Sequence, residues 1–290
     1  MISPPVSVRS AIAEAVQRLH AAGVDSPHWD AEQLAAHVLG VARTSLPVIP
    51  NLDAVQYDVF QALIDRRCAR EPLQHIVGSV GFRYVELAVG PGVFVPRPET
   101  ESVAGAAIDA ARRSGSGRPV VVDLCSGSGA IAFSVAHEVP NAEVHAVEVD
   151  PGALVWLHRN AAARRRAGDT EVFVHAGDIA HALPDDDGKA DVVVSNPPYV
   201  ADHELDAVDP EVKHDPLRAL VAGADGLDVV RTVERVAHRL LKPGGVVVVE
   251  HSDRQGESAP AVFADAGWGE VEDHRDLTGR PRWLTARKDP

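Results

Sequence analysis

The residues best suited to chemistry stand at 195–200, Ser-Asn-Pro-Pro-Tyr-Val, directly after the apolar run Asp-Val-Val-Val. Two consecutive prolines remove two N–H donors where a buried strand ends, so the turn is rich in fixed acceptors. A planar amino group conjugated to a carbonyl or a ring needs such acceptors. Its nitrogen lone pair is delocalised, and it becomes a useful nucleophile only when both N–H bonds are held and the lone pair faces an electrophilic carbon. The Asn196 side-chain oxygen can take one N–H and the Pro197 carbonyl the other, while Pro198 stiffens the turn and Tyr199 can lie against the flat face of the substrate. These groups also favour the positive charge that develops on nitrogen, so positioning and electrostatics carry the reaction and no strong general base is needed. A simpler role, a rigid turn after a strand, stays in play because Pro-Pro turns are common, and the glycine-rich turn upstream, in the right order and strand position, weighs against it. Adenine, cytosine, guanine and glutamine all bear a suitable nitrogen.

A second set, Asp-Leu-Cys-Ser-Gly-Ser-Gly-Ala-Ile-Ala at 123–132, ends a strand and opens a helix. Gly127 and Gly129 allow a tight turn and close approach of backbone to ligand, and the helix start offers free N–H groups. Glu148 ends the following strand about 20 residues on, where an acid commonly grips ribose hydroxyls. The pattern Gly127-x-Gly129-x-x-Ala132 also fits a dinucleotide fingerprint, which by itself is weak. Asp123 ahead of the turn suits the positively charged amino-acid end of S-adenosylmethionine, a feature that a nicotinamide dinucleotide lacks. With Asn196 downstream, S-adenosylmethionine is the favoured cofactor, leaving S-adenosylhomocysteine as product. A dehydrogenase is disfavoured, since neither a second nucleotide-binding half nor hydride chemistry is evident.

Strands and helices must alternate to position these sets. From Arg118 onward PVVVDL, AEVHAVEV, EVFVHA, DVVVSN and GGVVVVE read as strands, with helices between them, another near 257–266, and late strands near 269–274 and 282–287. The expected fold is α/β, a mainly parallel sheet with helices on both faces. The first seventy residues read as helices. Val8, Ile12, Ala15, Val16 and Leu19 follow a 3.6 period, Ser26-Pro27 resembles a helix entry, and Asp53 with Gln56 resembles a capping box. QHIVG and FRYVELAVG read as two β-rich runs. The expected division is a helical domain at 1–72, a β-hairpin linker at 73–95 and a methyltransferase domain at 96–290.

Composition excludes several classes. The chain has 290 residues, 45% hydrophobic, and a net charge of −14, which repels a naked phosphate backbone and lowers the case for a nucleic-acid partner. Cys68 and Cys125 fit no disulfide scaffold, the histidines form no metal-binding motif, and no stretch has the apolar length of a membrane span or secretory signal. A cytoplasmic monomer without metal or membrane attachment is expected.

The chain resembles the protein-(glutamine-N5) methyltransferases that act on peptide-chain release factors. The likeness runs through EPLQHIVG (71–78), PGVFVPRPETE (91–101), DLCSGSGAIA, AVEVDPGAL (146–154), SNPPYV, DPLRALVAGADGLDVVR (215–231), LKPGGVVVVE (241–250) and DLTGRPRW (276–283). The Pro-Arg-Pro-Glu-Thr-Glu run is the selective part, because nucleic-acid amino methyltransferases share Asn-Pro-Pro-Tyr. The resemblance implies a Rossmann-like class I methyltransferase sheet with an antiparallel last strand, and methyl transfer to the glutamine of a Gly-Gly-Gln loop in a release factor. It also implies cofactor contacts from Asp123, Cys125, Ser126, Gly127, Ser128, Gly129, Glu148, Asp178, Ile179 and Asn196, with Ile179 bordering the adenine. Asn196, Pro197, Pro198 and Tyr199 would hold the glutamine, Pro96–Glu101 would line or cover the pocket, and the helical domain would recognise the protein partner.

Departures from the family pattern define the alternatives. Cys125-Ser126 replaces a usual Gly-Thr, so Cys125 must avoid a positive φ or bear its strain. His214-Asp215-Pro216 and His251-Ser252-Asp253 also differ, changes that bear on cofactor affinity and on which protein is the acceptor; the shared Asn-Pro-Pro-Tyr keeps open a nucleic-acid amino methyltransferase, and the unusual Cys125 turn a non-catalytic S-adenosylmethionine-binding protein. The acidic stretch ADHELDAVDPE, 201–211, is expected to face a basic part of a protein substrate.

Overall fold

Local signals near the amino terminus become helices with the anticipated starts. In the computed structural model, which describes residues 5–289, Val6–Ser7 (β1) leads into Val8–Ala21 (α1), and Pro27–Leu39 (α2) begins on its proline. Gly40 closes α2 in the left-handed conformation, at φ 65°. Asn51–Leu52 (β2) pairs antiparallel with β1. Ala54–Cys68 (α3) then starts on a complete capping box, with Asp53 accepting from the Gln56 N–H and Gln56 accepting from the Asp53 N–H. Leu19, Leu34, Leu52, Phe60 and Ile64 are fully buried and form this unit's core. The unit comprises the chain up to Gly78 together with Asp209–His214.

The QHIVG stretch corrects the sequence reading. Leu73–Val77 forms a short helix (α4), with Pro72 at its N-cap and Gly78 left-handed at its end, φ 81°. Five residues with two β-branched side chains carry no decisive periodicity, and the proline at the entry with glycine at the exit outweighs strand propensity. The hairpin lies later, as Ser79–Phe82 (β3) and Val85–Ala88 (β4), turning through Arg83 and Tyr84. It clusters with the second unit, Ser79–Val208 and Asp215–Pro290, rather than forming a separate linker.

That second unit holds the alternating α/β pattern. Thr100–Arg113 (α5) precedes Val120–Leu124 (β5), Ala130–Glu138 (α6), Glu143–Glu148 (β6), Pro151–Arg166 (α7), Val172–Ala176 (β7) and Ala190–Ser195 (β8). Asp228–Leu240 (α8), Leu241–Glu250 (β9), Ser258–Asp265 (α9), Gly269–Arg275 (β10) and Pro281–Arg287 (β11) complete it. The seven strands order as β10-β11-β9-β8-β5-β6-β7. β9, β8, β5, β6 and β7 are parallel, and β11 runs antiparallel to β9, as the sequence predicts.

Strand alternation sends side chains to two cores. Val121 packs with Val103, Ile108, Ile131, Phe133 and Leu157 on one face, while its neighbour Val122 packs with Val230, Val233, Val247 and Phe263 on the other. Helices thus cover both faces, and only the strand ends remain for ligands. The chain moves outward from β5 in both directions, through β6 and β7 on one side and β8 and β9 on the other. This creates a switch point between β5 and β8, where sheets of this type bind ligands at the carboxyl ends of the strands. Among the described residues no helix is long and apolar enough to cross a membrane.

Charge is buried in the helical unit. Arg67 Nε lies 2.7 Å from Asp30 Oδ2, and its Nη2 lies 2.8 Å from Glu211 Oε1, which also binds Arg70. Burial pushes the Glu211 carboxyl up, but hydrogen bonds from Arg70 and Arg67 outweigh it and hold the group at about 2. A carboxylate depressed on folding stabilises above its unfolded value and loses that contribution as the pH falls through the folded one. Glu211→Gln is therefore expected to lower stability at neutral pH by up to roughly 3 kcal/mol, with the deficit closing between about pH 4.5 and 2. Thermal unfolding of both proteins across that range measures it; a deficit constant with pH would contradict the assignment.

Candidate active site

The carboxyl ends of β5, β6, β7, β8 and β9 carry the chemical residues. After β5, the Ser126 N–H donates to the Val147 carbonyl at 3.0 Å and its hydroxyl to the Asp123 carbonyl at 2.8 Å, which folds the chain back sharply. Cys125, Gly127 and Gly129 have φ of 63°, 56° and 88°. Cys125 bears the left-handed conformation directly, at a cost of about 1–2 kcal/mol that glycine would avoid. The two glycines serve different ends. A Cβ on Gly129 would lie 2.2 Å from the Phe133 ring and 2.7 Å from Leu157, so packing demands its absence, whereas Gly127 borders open space and is needed for its conformation. Ser128 is buried, with its carbonyl accepting from Asn160 Nδ2 at 3.0 Å.

Glu148 ties the turn to the next strand. Its Oε2 accepts from the Gly127 N–H at 2.7 Å, and its Oε1 from the Val149 and Asp150 N–H groups at 2.8 and 2.7 Å. A carboxylate offers about four acceptor positions, so one remains on the side of Gly127. Asp123, 1% exposed, accepts from the Ala132 N–H through Oδ2, while Oδ1 has no hydrogen-bond partner. Burial pushes its carboxyl up to about 7. The chain leaves β7 through Gly177, whose N–H donates to the Glu148 carbonyl at 2.8 Å. Asp178 is exposed and caps its own turn, and Ile179 is buried in the apolar cluster with Val122, Leu124 and Val147.

At the end of β8, Ser195 Oγ donates to the Leu124 carbonyl at 2.7 Å and so pins Asn196 to the end of β5. Asn196 Nδ2 donates to Thr100 Oγ1 at 3.2 Å, so its Oδ1 takes no part in that bond. Pro197 is buried and Pro198 half-buried. The Tyr199 hydroxyl donates to Glu250 Oε1 at 3.3 Å, and its carbonyl accepts from Gln255 Nε2 at 3.2 Å. The Val200 N–H donates to the Leu220 carbonyl, and a Cβ at Gly226 would approach the Tyr199 carbonyl to 2.3 Å, so the far end of the turn is also held. Burial and the neighbouring Glu250 push the Tyr199 hydroxyl above its usual range, so it stays protonated and remains a donor.

The structure thus brings Asp123, the 125–129 turn, Glu148, Asp178, Ile179 and the 196–199 turn to one end of the sheet. Within Pro96–Glu101, Arg97 pairs with Asp215 at 2.6 Å, Glu101 accepts from the Arg83 N–H, and Thr100 reaches Asn196. Glu250 was not among the residues expected at the site, and Thr100 was expected only as part of the Pro96–Glu101 segment lining or covering the pocket. The only sequence signal for Glu250 is its place at a strand end, and for Thr100 its place inside the selective proline-rich run. The acidic stretch carries less free charge than its composition suggests: Glu211 is taken by Arg67 and Arg70, and Glu204 lies 2.6 Å from Arg254, while Asp202 is exposed.

A cofactor can be tested against this arrangement. An unpartnered buried carboxylate oxygen on Asp123, a spare acceptor on Glu148 beside a glycine with open space, and an apolar wall at Ile179 suit an amino-acid end, a ribose and an adenine in that order.

Comparisons with known proteins agree with the geometry. Residues 10–78 match the family described as PrmC N-terminal domain, and residues 109–241 match the methyltransferase small domain family. The chain is 54% identical to the release factor glutamine methyltransferase of Streptomyces coelicolor, over 96% of each chain. It is 44% identical to the protein of the same description from Mycolicibacterium smegmatis, over 97% of this chain and 98% of that one. Among solved structures, the 16S rRNA N2 G1207 methyltransferase of Thermus thermophilus superposes with a TM-score of 0.52 at 21% identity, covering 72% of this chain and 49% of that one, a likeness of fold.

Asp123 should trade stability for ligand binding. Because folding raises its carboxyl to about 7, the unfolded chain releases the proton first, and native stability falls as the pH climbs from about 4 to 7. Asp123→Asn removes that slope, so its thermal midpoint relative to the unsubstituted protein is expected to rise with pH across this window, while cofactor binding, read by calorimetry, weakens. A midpoint difference flat with pH would contradict the buried ionisation.

Proposed function

This chain belongs to the release factor glutamine methyltransferase family, and from that premise we propose that it transfers a methyl group from S-adenosylmethionine to the side-chain amide nitrogen of the glutamine in a release factor's Gly-Gly-Gln loop. The cofactor, when bound, supplies an electrophilic methyl carbon on a sulfonium sulfur. Asp123 would take its ammonium group, the spare Glu148 acceptor a ribose hydroxyl, and Ile179 the edge of the adenine.

The rest is done by the acceptor turn. An amide nitrogen is a poor nucleophile because its lone pair is delocalised into the carbonyl. Asn196 Oδ1 accepting one N–H and the Pro197 carbonyl the other hold the group flat and fix the direction of the lone pair, and both oxygens stabilise the charge that grows on nitrogen. The methylated nitrogen then sheds its proton readily, so no strong base is required. The observation that carries this reading is the orientation of Asn196: its Nδ2 is bound to Thr100, which leaves the oxygen for the substrate. Helical residues 1–72 would recognise the protein partner, and the enzyme would act as a monomer in the cytoplasm.

The test is mass spectrometry of release factors and of nucleic acid after incubation with isotopically labelled cofactor. Label on the Gly-Gly-Gln glutamine is expected. Asn196→Ala is expected to leave the fold intact and to lower turnover by about 100-fold or more, the usual scale for a lost transition-state contact. Label on nucleic acid alone, or retained turnover in the variant, would overturn the assignment.

A further inference from the structure

Asn196 can hold an acceptor amide only with its oxygen turned towards it. A carboxamide rotated by half a turn has almost the same shape but presents NH2, which would repel the substrate's own N–H groups. Thr100 alone cannot choose between the two, because a hydroxyl can accept from Nδ2 or donate to Oδ1 equally well. The tie must be broken by a neighbour that does only one of these things.

Glu250 is that neighbour. It ends β9 and is 1% exposed; Thr100, itself 3% exposed, opens α5, the helix packed against β9. The Thr100 hydroxyl favours the charged form of Glu250. Glu250 Oε2 has no hydrogen-bond partner among the described groups, so it has room for a donor, while Oε1 already accepts from Tyr199. Both ends of the 196–199 turn therefore lead to one carboxyl group.

We propose that Glu250 is a positioning residue: as an acceptor-only carboxylate it draws the Thr100 hydroxyl proton, obliges Thr100 to accept from Asn196 Nδ2, and so turns Asn196 Oδ1 towards the acceptor amide. The role rests on the reaction assigned above and adds a residue with no need to touch substrate. Charge on Glu250 is the essential feature. A protonated Glu250, or a glutamine, could donate to Thr100, which would then donate to Oδ1 and flip the amide. The groups that face Glu250 are Tyr199 after β8, Thr100 and Glu99 at the start of α5, and Arg282 on β11. Burial pushes its carboxyl up to about 7, opposed by Thr100 and Arg282, so the orientation weakens as the pH drops below that value.

Two readouts test this in the full-length protein. In the first, isotope-labelled asparagine side chains are followed by nuclear magnetic resonance without substrate. The Asn196 NH2 signal is expected to be protected from exchange at about pH 8 and to shift as the pH falls through about 7. In Glu250→Gln and Thr100→Val it should be unprotected and insensitive to pH. In the second, methylation kinetics are compared: kcat is expected to fall about tenfold or more in either variant, with cofactor affinity within about twofold and the double variant little worse than the weaker single one, as for groups acting in series. Thr100→Ser, which keeps the hydroxyl, should retain turnover within about threefold. Wild-type kcat in Glu250→Gln, a signal indifferent to pH and to Glu250, or multiplicative losses in the double variant would each overturn the proposal. Should Glu250→Gln fail to fold, the contrast of Thr100→Val with Thr100→Ser decides by the same criteria. If the unsubstituted enzyme leaves release factors unmodified, the functional reading fails, while the resonance experiment still decides the orientation.

Discussion

A carboxylate removed from water can only accept hydrogen bonds, and this one-sidedness organises the ligand-facing end of the sheet. Glu148 collects N–H groups from Gly127, Val149 and Asp150, so the turn after β5 and the exit from β6 are fixed to each other by a single side chain. Asp123, next to last in β5, and Glu250, last in β9, are each nearly inaccessible and each have an oxygen without a hydrogen-bond partner. Such groups cost stability and would be poor choices for a purely structural core. Their value is directional: the donors around them must point inwards, and the acceptors that remain must point at a ligand.

The fold makes that economy feasible. Helices cover both faces of the sheet through two separate apolar clusters, so the strands can be buried along their length and exposed only at the ends. The switch point between β5 and β8 sets the glycine turn beside the Asn-Pro-Pro-Tyr turn, and the Ser195 hydroxyl joins them at the Leu124 carbonyl. Prolines, a cross-strand bridge at Val200 and Val221, and the close approach of Gly226 hold the second turn at its far end. Catalysis by positioning needs this stiffness, because the methyl acceptor has no strong nucleophilicity of its own.

Much of this was legible in the residues themselves. Valine runs bounded by glycine and proline marked the parallel strands, Asp53 with Gln56 marked a helix start, and the order of the glycine turn and the Asn-Pro-Pro-Tyr turn placed both at strand ends. Two kinds of feature were not legible. Short segments with conflicting local signals, such as Gln74–Val77, were decided by their flanking proline and glycine rather than by propensity. Contacts between residues distant in sequence left no pattern: Thr100 meets Asn196 across 96 positions, and Tyr199 meets Glu250 across 51. For Cys125 the sequence left two outcomes, avoiding the left-handed conformation or bearing it, and the closure of the turn on Val147 and Glu148 selects the second.

The claim on which the account rests is that the end of β8 grips a flat amide by both of its hydrogens. Its most direct measurement is a crystal structure of the enzyme with S-adenosylhomocysteine and a peptide containing Gly-Gly-Gln. The account predicts the glutamine amide nitrogen at about 3 Å from both Asn196 Oδ1 and the Pro197 carbonyl, with Asn196 Nδ2 still on Thr100. A glutamine bound elsewhere, or an Asn196 amide with its nitrogen facing the peptide, would contradict it.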